Sequence, residues 1–569
     1  MRTDLIGQAR LPRYSVDAQD VAGTDPDDQE VIDTNTGTRT LENHLTWLQA
    51  FVAQRGRPLR VLHVGNIANN AYLNAKFMRS VGVEAHVLCY DYQHVMAMPE
   101  WEDVELHHGH GNDYRPTISW RDLRGYRRPS WFVSGPLPAC TAQIATLRGE
   151  GPSWWRRALL FLLKQLINTT ERLFGARAGY GIQLLIQQPR VFVYRFWRYL
   201  RSRFGNENIV LNFLAATRRR LKFVSNDGLD NVGDAVLQQR LLPMIEQFNR
   251  AFPSRHDRLK SADVFPYTAT VNYFTDIFQY YDIVQCYATD PIHALLSDKR
   301  PYVAFEHGTL RDFTTDDDPL HRLTSLAYRE ADHTFITNGD CLAYAERLGI
   351  ENYSPIIHPI DVEQHRQDFG DAIGALRREI DGDIILFCPV RHDWKIKGTD
   401  VHLRALPLIK ARVPGQVKLV LIHWGMQLAE SEALLESLGC SGDVVWKPSM
   451  CRITMIKHVR AADVVLDQMA LPHFGATAPQ AIAAGTPVIS SYVPESTRWI
   501  IPEPAPILPA FSPEEVAEAV VQALDPGWRA DYKRSARQWT DRYHHPNNVI
   551  RDHLKIYQRV LEKHDRQGN

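Results

Sequence analysis

Cysteine is scarce in this chain. Seven residues in 569, none in a Cys-x-x-Cys pair, argue against a disulfide framework or a structural zinc site and fit a reducing compartment. No apolar run approaches the roughly 20 residues that a membrane-spanning helix requires. The N-terminus, MRTDLIGQAR, lacks the apolar centre of a secretion signal. Net charge is −1, so no long-range pull toward nucleic acid is expected and none is assigned as a partner. Repeats and low-complexity tracts are absent. The histidines show no persuasive metal-ligand spacing, and no metal is expected. The loop Gly65-Asn66-Ile67-Ala68-Asn69-Asn70 carries one glycine, so the Gly-x-Gly-x-x-Gly dinucleotide fingerprint is not met. These absences leave a cytoplasmic protein, at most peripheral at the inner face of the cell membrane.

What is present is a long chain of ordinary globular composition, 44% apolar and 23% charged. Its length exceeds a single core and predicts two or more domains. Short apolar runs at 60–64, 84–90, 131–134, 283–287, 302–305 and 333–337 read as strands, several separated by helical patterns. A second series follows at 383–389, 418–423, 444–446, 463–466 and 487–490. Nearly continuous apolar strands fit parallel sheets covered on both faces. The expected architecture is α/β, with two Rossmann-like domains facing each other across a cleft. The expected boundaries are a loose acidic arm at 1–38, a first domain at 39–362, a linker at 363–380 and a second domain at 381–545. A last helix is expected over Val549–Lys563, within 546–569, and its crossing back to the first domain is implied only by the family resemblance given below.

Residues 148–203 interrupt the first domain with eleven Lys/Arg against only Glu150 and Glu171, a net +9. Ser153–Phe174 draws as a helix with Arg156, Arg157 and Lys164 on one half and Trp155, Leu159, Leu162 and Leu166 on the other. The later VFVYRFWRYLRSR is again basic and aromatic. This pattern suits an anionic membrane surface, or an insertion packed on its own domain with its charges solvated.

Two segments carry the chemistry. FCPVRHDWKIKGTD places Arg391 and Lys397 after an apolar strand, and Gly398 lets the backbone come close. Downstream, LPHFGATAPQAIAAGTPVI joins a Phe-Gly loop, a short Ala-rich helix, a Gly-Thr-Pro stop and a buried strand. Unpaired N–H groups at a helix start suit phosphate, Pro479 fits the first turn, and Gly485 ends the helix. Order and separation of the two segments together resemble the nucleotide-sugar site of retaining GT-B glycosyltransferases of the family 4 type. The resemblance covers the C-terminal half most strongly. It implies a nucleotide diphosphate sugar as substrate, a sugar or lipid-linked acceptor, retention, and no cofactor. Arg391 and Lys397 would then stabilise the leaving diphosphate. Phe474, Gly475, Ala476, Thr477 and Gln480 would hold the donor. Lys395 competes with Lys397, and only the Lys-Gly order of the family favours the latter.

The sequence departs from that pattern at two places. Register from Gly485 puts Pro472 and Gln480 where the family carries glutamates for the donor sugar and the ribose. Gln480 keeps one acceptor oxygen, Pro472 keeps no polar side chain, and Asp467 is a nearby carboxylate. In the first domain, the resemblance directs Gly65 and Asn66 toward donor phosphate or acceptor, with Asn69 and Asn70 as further polar groups. His307, after the strand PYVAF, would stand beside the reacting sugar, with Arg311 close by. The polar turns at 226–228 and 231–234 could line the cleft or start a helix over 235–252. Two rival readings are a non-catalytic protein that binds nucleotide-sugar or membrane, and a sugar-nucleotide epimerase.

Overall fold

The computed structural model describes residues 34–90, 94–113, 115–149, 243–267, 270–312 and 318–568. The basic insertion beyond Gly149 and the turns at 226–228 and 231–234 lie outside the described residues.

Seven strands form the first sheet: β1 (Arg60–Val64), β2 (Glu84–Cys89), β3 (Phe132–Ser134), β4 (Ile283–Tyr287), β5 (Tyr302–Phe305), β6 (His333–Ile336) and β7 (Tyr353–Pro355). Their order is β3-β2-β1-β4-β5-β6-β7, with every pairing parallel. Six strands form the second: β8 (Ile384–Cys388), β9 (Val417–Ile422), β10 (Val444–Lys447), β11 (Val464–Leu466), β12 (Val488–Ser490) and β13 (Leu508–Pro509). Their order is β10-β9-β8-β11-β12-β13, again all parallel. Both are doubly wound, Rossmann-like sheets, as the GT-B expectation requires. In each, strand order reverses once, between β1 and β4 and between β8 and β11. Open sheets of this kind bind ligands outside the carboxyl ends of the strands at that reversal.

The alternation of side chains explains why these strands read as nearly continuous apolar runs. Ile384, Leu386 and Cys388 enter one core layer, while Ile385 and Phe387 enter the opposite one. Leu62 and Val64 are likewise separated from Val61 by the first sheet. Both faces are therefore covered, and the few polar strand residues, His63, His86, Gln285 and His333, are buried with hydrogen-bond partners.

Asp361 accepts from Gln364 N at 3.2 Å and starts the helix Val362–Arg366; a second helix, Ala372–Ile380, follows. The stretch expected as a linker is thus mostly helical. The final helix, Pro546–Gly568, lays Val549, Ile550, Leu554 and Tyr557 into the core of the first domain. Tyr557 Oη donates to Gln285 Oε1 at 2.7 Å beneath β4, and Arg55 pairs with Asp565 at 3.0 Å. The last helix therefore packs against the first sheet. The first described helix, Thr34–Arg55, begins inside the stretch expected to be a loose arm. β7 and β13 escaped the sequence reading because each is short, proline-bearing and at a sheet edge, where a missing N–H is tolerated. Among the described residues no helix is long and apolar enough to cross a membrane.

Candidate functional site

The loops that leave β8 and β11 flank the strand reversal of the second sheet, and hydrogen bonds stitch them together. Asp393 organises the first. Its Oδ1 accepts from Ile396 N at 3.0 Å, its carbonyl accepts from Lys397 N at 2.8 Å, and its Oδ2 accepts from Arg391 Nη2 at 3.2 Å. Gly398 then turns with φ +63°, where an added Cβ would lie 2.9 Å from the backbone carbon of Met469. A glycine is required there on both counts. Met469 N closes the stitch by donating to Lys397 O at 2.7 Å.

This geometry points the Lys397 ammonium at the residues after β11. Its Nζ donates to Gln468 Oε1 at 2.7 Å. Burial lowers its pKa, and the Asp467 carboxylate opposes that shift. Arg391 remains 44% exposed, so its guanidinium can still turn toward a ligand. Gln468 is not among the residues singled out from sequence, although its place two residues past the end of the strand VVL marks it as an end-of-strand polar residue.

Asp467 lies below the Phe-Gly loop. It is buried, its Oδ2 accepts from Gly475 N at 2.9 Å, and burial pushes its carboxyl up in pKa while Lys397 holds it down. It pins the loop from inside and does not reach into the cleft as a sugar-binding carboxylate. Phe474 packs against Tyr492 and Trp539, which anchors the loop to the core. Ala476 and Thr477 then open the helix Thr477–Ala484, with Ala476 exposed at its N-terminal end. Gly485, at φ +76°, ends it as read from sequence. Pro472 is exposed and serves only through its carbonyl, which accepts from Val493 N at 2.7 Å and from Ser496 Oγ at 2.8 Å.

Gln480 is not an unoccupied ribose acceptor. Its Oε1 accepts from Arg452 Nη1, and Arg452 Nε donates to Glu102 Oε1 of the first domain at 2.9 Å. Lys457 pairs with Glu105 at 2.5 Å, and Leu106 N donates to Cys451 Sγ at 3.3 Å. The short helix Pro99–Asp103 and the helix Arg452–Ala461 thus form a clasp between the domains. No sequence signal links partners some 350 positions apart.

The first domain faces the basic pair with Arg311, whose Nη2 donates to Asp340 Oδ1 at 2.8 Å. Arg311 and Arg391 both act on the Lys397 charge, and Asp340, Arg311 and Lys397 all act on His473. The cleft is narrow here, because a Cβ on Gly339 would run into the Ser496 carbonyl. His307 stands on the loop that carries Arg311. Its ring stacks with His358 at 5.3 Å and Tyr287 at 5.6 Å, and burial pulls its pKa down to about 4. It is therefore a neutral imidazole at pH 7, able to donate or accept but not to act as a cation. Its Nε2 is buried with no partner among the described residues.

Gly65 follows β1 at φ +87°, where a Cβ would run into the Asp290 carboxylate. Asn66, expected to meet donor or acceptor, is turned inward. Its Nδ2 donates to Asn69 Oδ1 at 2.9 Å and Ala97 O at 2.7 Å, and its Oδ1 accepts from Tyr72 N at 3.0 Å. Its side chain holds the loop, and Gly65 N donates to Leu88 O at 2.9 Å. Among the described residues no group of three His, Cys, Asp or Glu side chains is placed to hold a metal ion.

The family described as "Glycosyl transferases group 1" matches residues 382–526, about a quarter of the chain. The D-inositol 3-phosphate glycosyltransferase of Acidothermus cellulolyticus is 31% identical over 204 residues, 34% of this chain and 45% of that protein. The enzyme of the same name from Jonesia denitrificans is 29% identical over 214 residues, 36% of this chain and 48% of that protein. The chain spans about half the length of these curated relatives. Among solved structures, Anabaena Alr3699/HepE in complex with UDP-glucose aligns with a TM-score of 0.41 and 18% identity, over 52% of this chain and 82% of that chain.

Proposed function

We propose that the protein is a glycosyltransferase that moves a sugar from a nucleotide diphosphate sugar to a hydroxyl acceptor. The observation that carries this reading is the convergence of Arg391 and Lys397 at the β8–β11 reversal, within the segment matched by the glycosyltransferase family and opposite Arg311. A departing diphosphate develops negative charge. Preorganised cations in a narrow, partly dry cleft stabilise that charge without reorganising. Arg391 offers a planar fork to two phosphate oxygens and Lys397 a point charge.

The anomeric carbon breaks its bond to the diphosphate oxygen and forms one to the acceptor oxygen on the same face. The acceptor proton passes to the departing phosphate oxygen. Configuration is retained, and no protein general base is needed. His307, neutral and with an Nε2 that has no partner among the described residues, fits a hydrogen-bonding role toward the transferred sugar. The basic insertion at 148–203 would hold the protein at an anionic membrane surface, which suits a lipid-linked acceptor in polysaccharide or glycolipid assembly.

Two observations favour a second reading, a binding protein without turnover. Pro472 offers no carboxylate, and the Gln480 acceptor is already taken by Arg452. Two measurements separate the readings. UDP-, GDP- and ADP-sugars are screened by thermal shift, where a ligand at 100 times its dissociation constant adds about 2.7 kcal/mol. The stabilising donor is then followed by NMR with candidate acceptors, inositol phosphate among them because the relatives bear that name. Formation of a product with the donor's anomeric configuration supports transfer. Binding with no consumption of donor favours the second reading.

A further inference from the structure

Among the described residues, three rings lie against the imidazole of His307: Phe305 at 5.3 Å, Tyr287 at 5.6 Å and His358 at 5.3 Å between centroids. Two of them belong to the first sheet and are fixed there. Phe305 ends β5 and is fully buried. Tyr287 ends β4, and its hydroxyl is bonded to Asn74 at 2.9 Å, Gln285 at 2.8 Å and His63 at 2.9 Å. The third ring comes from elsewhere. His358 lies beyond β7, on the segment that leads out of the first domain, and its plane is the most nearly parallel to that of His307, at 9°.

That segment is fastened on several sides. The His358 carbonyl accepts from His544 Nδ1 at 2.9 Å, and Ile360 N donates to His544 O at 3.0 Å. Ile357 packs against the cores of both domains. Ile360 and Val362 pack against Ala483, near the end of the helix Thr477–Ala484. The ring stacked on His307 is therefore carried by chain seated on the donor-side helix, while His307 itself belongs to the first domain.

An imidazole on a loop is free to turn about its side-chain bonds. Parallel, offset rings about 4.5–7 Å apart attract one another, and a flat face against the ring opposes that turning. His307 Nε2 and His358 Nδ1 are both buried without a partner among the described residues, so no described hydrogen bond at either atom competes with the stack. Charge does not oppose it either. Burial lowers the pKa of both imidazoles, and the other groups that act on His358, His544 and His553, are themselves pulled down to about 4. All four are neutral at pH 7.

We propose that His358 is a positioning residue: its ring fixes the plane of the His307 imidazole so that Nε2 meets the transferred sugar. The clause about the sugar rests on the transferase reading above.

The test uses the full chain with two substitutions. His358→Leu fills the space without a flat face, and His358→Phe restores the face without the nitrogens. Initial rates are measured with whichever of the UDP-, GDP- and ADP-sugars is consumed. His358→Leu should lower kcat at least about tenfold and leave the donor KM little changed, while His358→Phe keeps most of kcat. Equal kcat in the two variants would overturn the proposal, whether both match the unaltered protein or both fall. Should His358→Leu fail to fold, His358→Met replaces it. The second readout needs no turnover. With 13C-labelled histidine, the His307 Cε1–H resonance is assigned through His307→Gln and followed against pH. It should hold its neutral position down to about pH 5 in the unaltered chain and in His358→Phe. In His358→Leu it should titrate at least about one pH unit higher, because the freed ring turns toward water. The same titration in all three chains would overturn the proposal. A protein that consumes no donor yet shows this difference loses the transferase reading and keeps His358 as the residue that sets the ring.

Discussion

At the residue scale, the account rests on two cations and one glycine. Arg391→Ala and Lys397→Ala each remove a charge-assisted contact worth roughly 1.5–3 kcal/mol, which corresponds to about a ten- to hundredfold loss of transfer. The loss should fall mainly on kcat, because the charge they meet develops as the diphosphate leaves; equal kcat in both variants would remove them from the site. Gly398→Ala introduces a side chain at φ +63° against the Met469 backbone, a strain of about 1–3 kcal/mol. Thermal denaturation should show a lowered midpoint, and an unchanged one would mean that the loop relaxes freely. The basic pair was legible in the sequence because it follows a buried strand and precedes a glycine. The inward turn of Asn66 was not. It is decided by the Ala97 carbonyl, 31 positions away, which no local pattern encodes.

At the scale of elements, the parallel strands were legible for a physical reason: covered on both faces, they carry mostly apolar residues, with buried His63, His86 and Gln285 as hydrogen-bonded exceptions. The last helix was legible as a helix, but its return to the first domain was implied only by the family resemblance; Val549, Ile550, Leu554 and Tyr557 form the face it buries there. The clasp was not, because Glu102–Arg452–Gln480 joins three separate elements. Arg452→Met would leave the buried Glu102 carboxylate without its cation. We expect the cleft to open at this end. Amide exchange in residues 99–106 and 451–457 should accelerate while that of β8 and β11 stays slow. Protection equal to the unaltered protein in the first two segments would show that apolar contacts among Val95, Trp101 and Cys451 suffice to hold the domains.

For the whole molecule, acidity is the telling variable. His544 and His553 are buried where the chain returns to the first domain, and burial pulls both pKa values down to about 4. The unfolded chain protonates them near 6.5, so it binds more protons between those values and stability falls as pH drops from about 6.5 toward 4. Each contributes a loss of about 2 kcal/mol at pH 5. The melting temperature should decline from pH 7 to pH 5, and less steeply in His553→Gln; a flat profile would contradict the burial described. The basic insertion sets a second expectation at this scale. Liposomes with anionic lipid should co-sediment the protein at low salt, less at high salt, but not zero, because aromatic insertion is insensitive to screening. No binding at low salt would leave 148–203 as packing within its own domain. The central claim concerns chemistry in the cleft, and release of nucleoside diphosphate from a nucleotide-sugar tests it most directly. The account predicts that one of the UDP-, GDP- or ADP-sugars is consumed in the presence of acceptor and that Lys397→Ala slows this at least tenfold. Consumption at the same rate by Lys397→Ala, or of no donor by the unaltered protein, would contradict it.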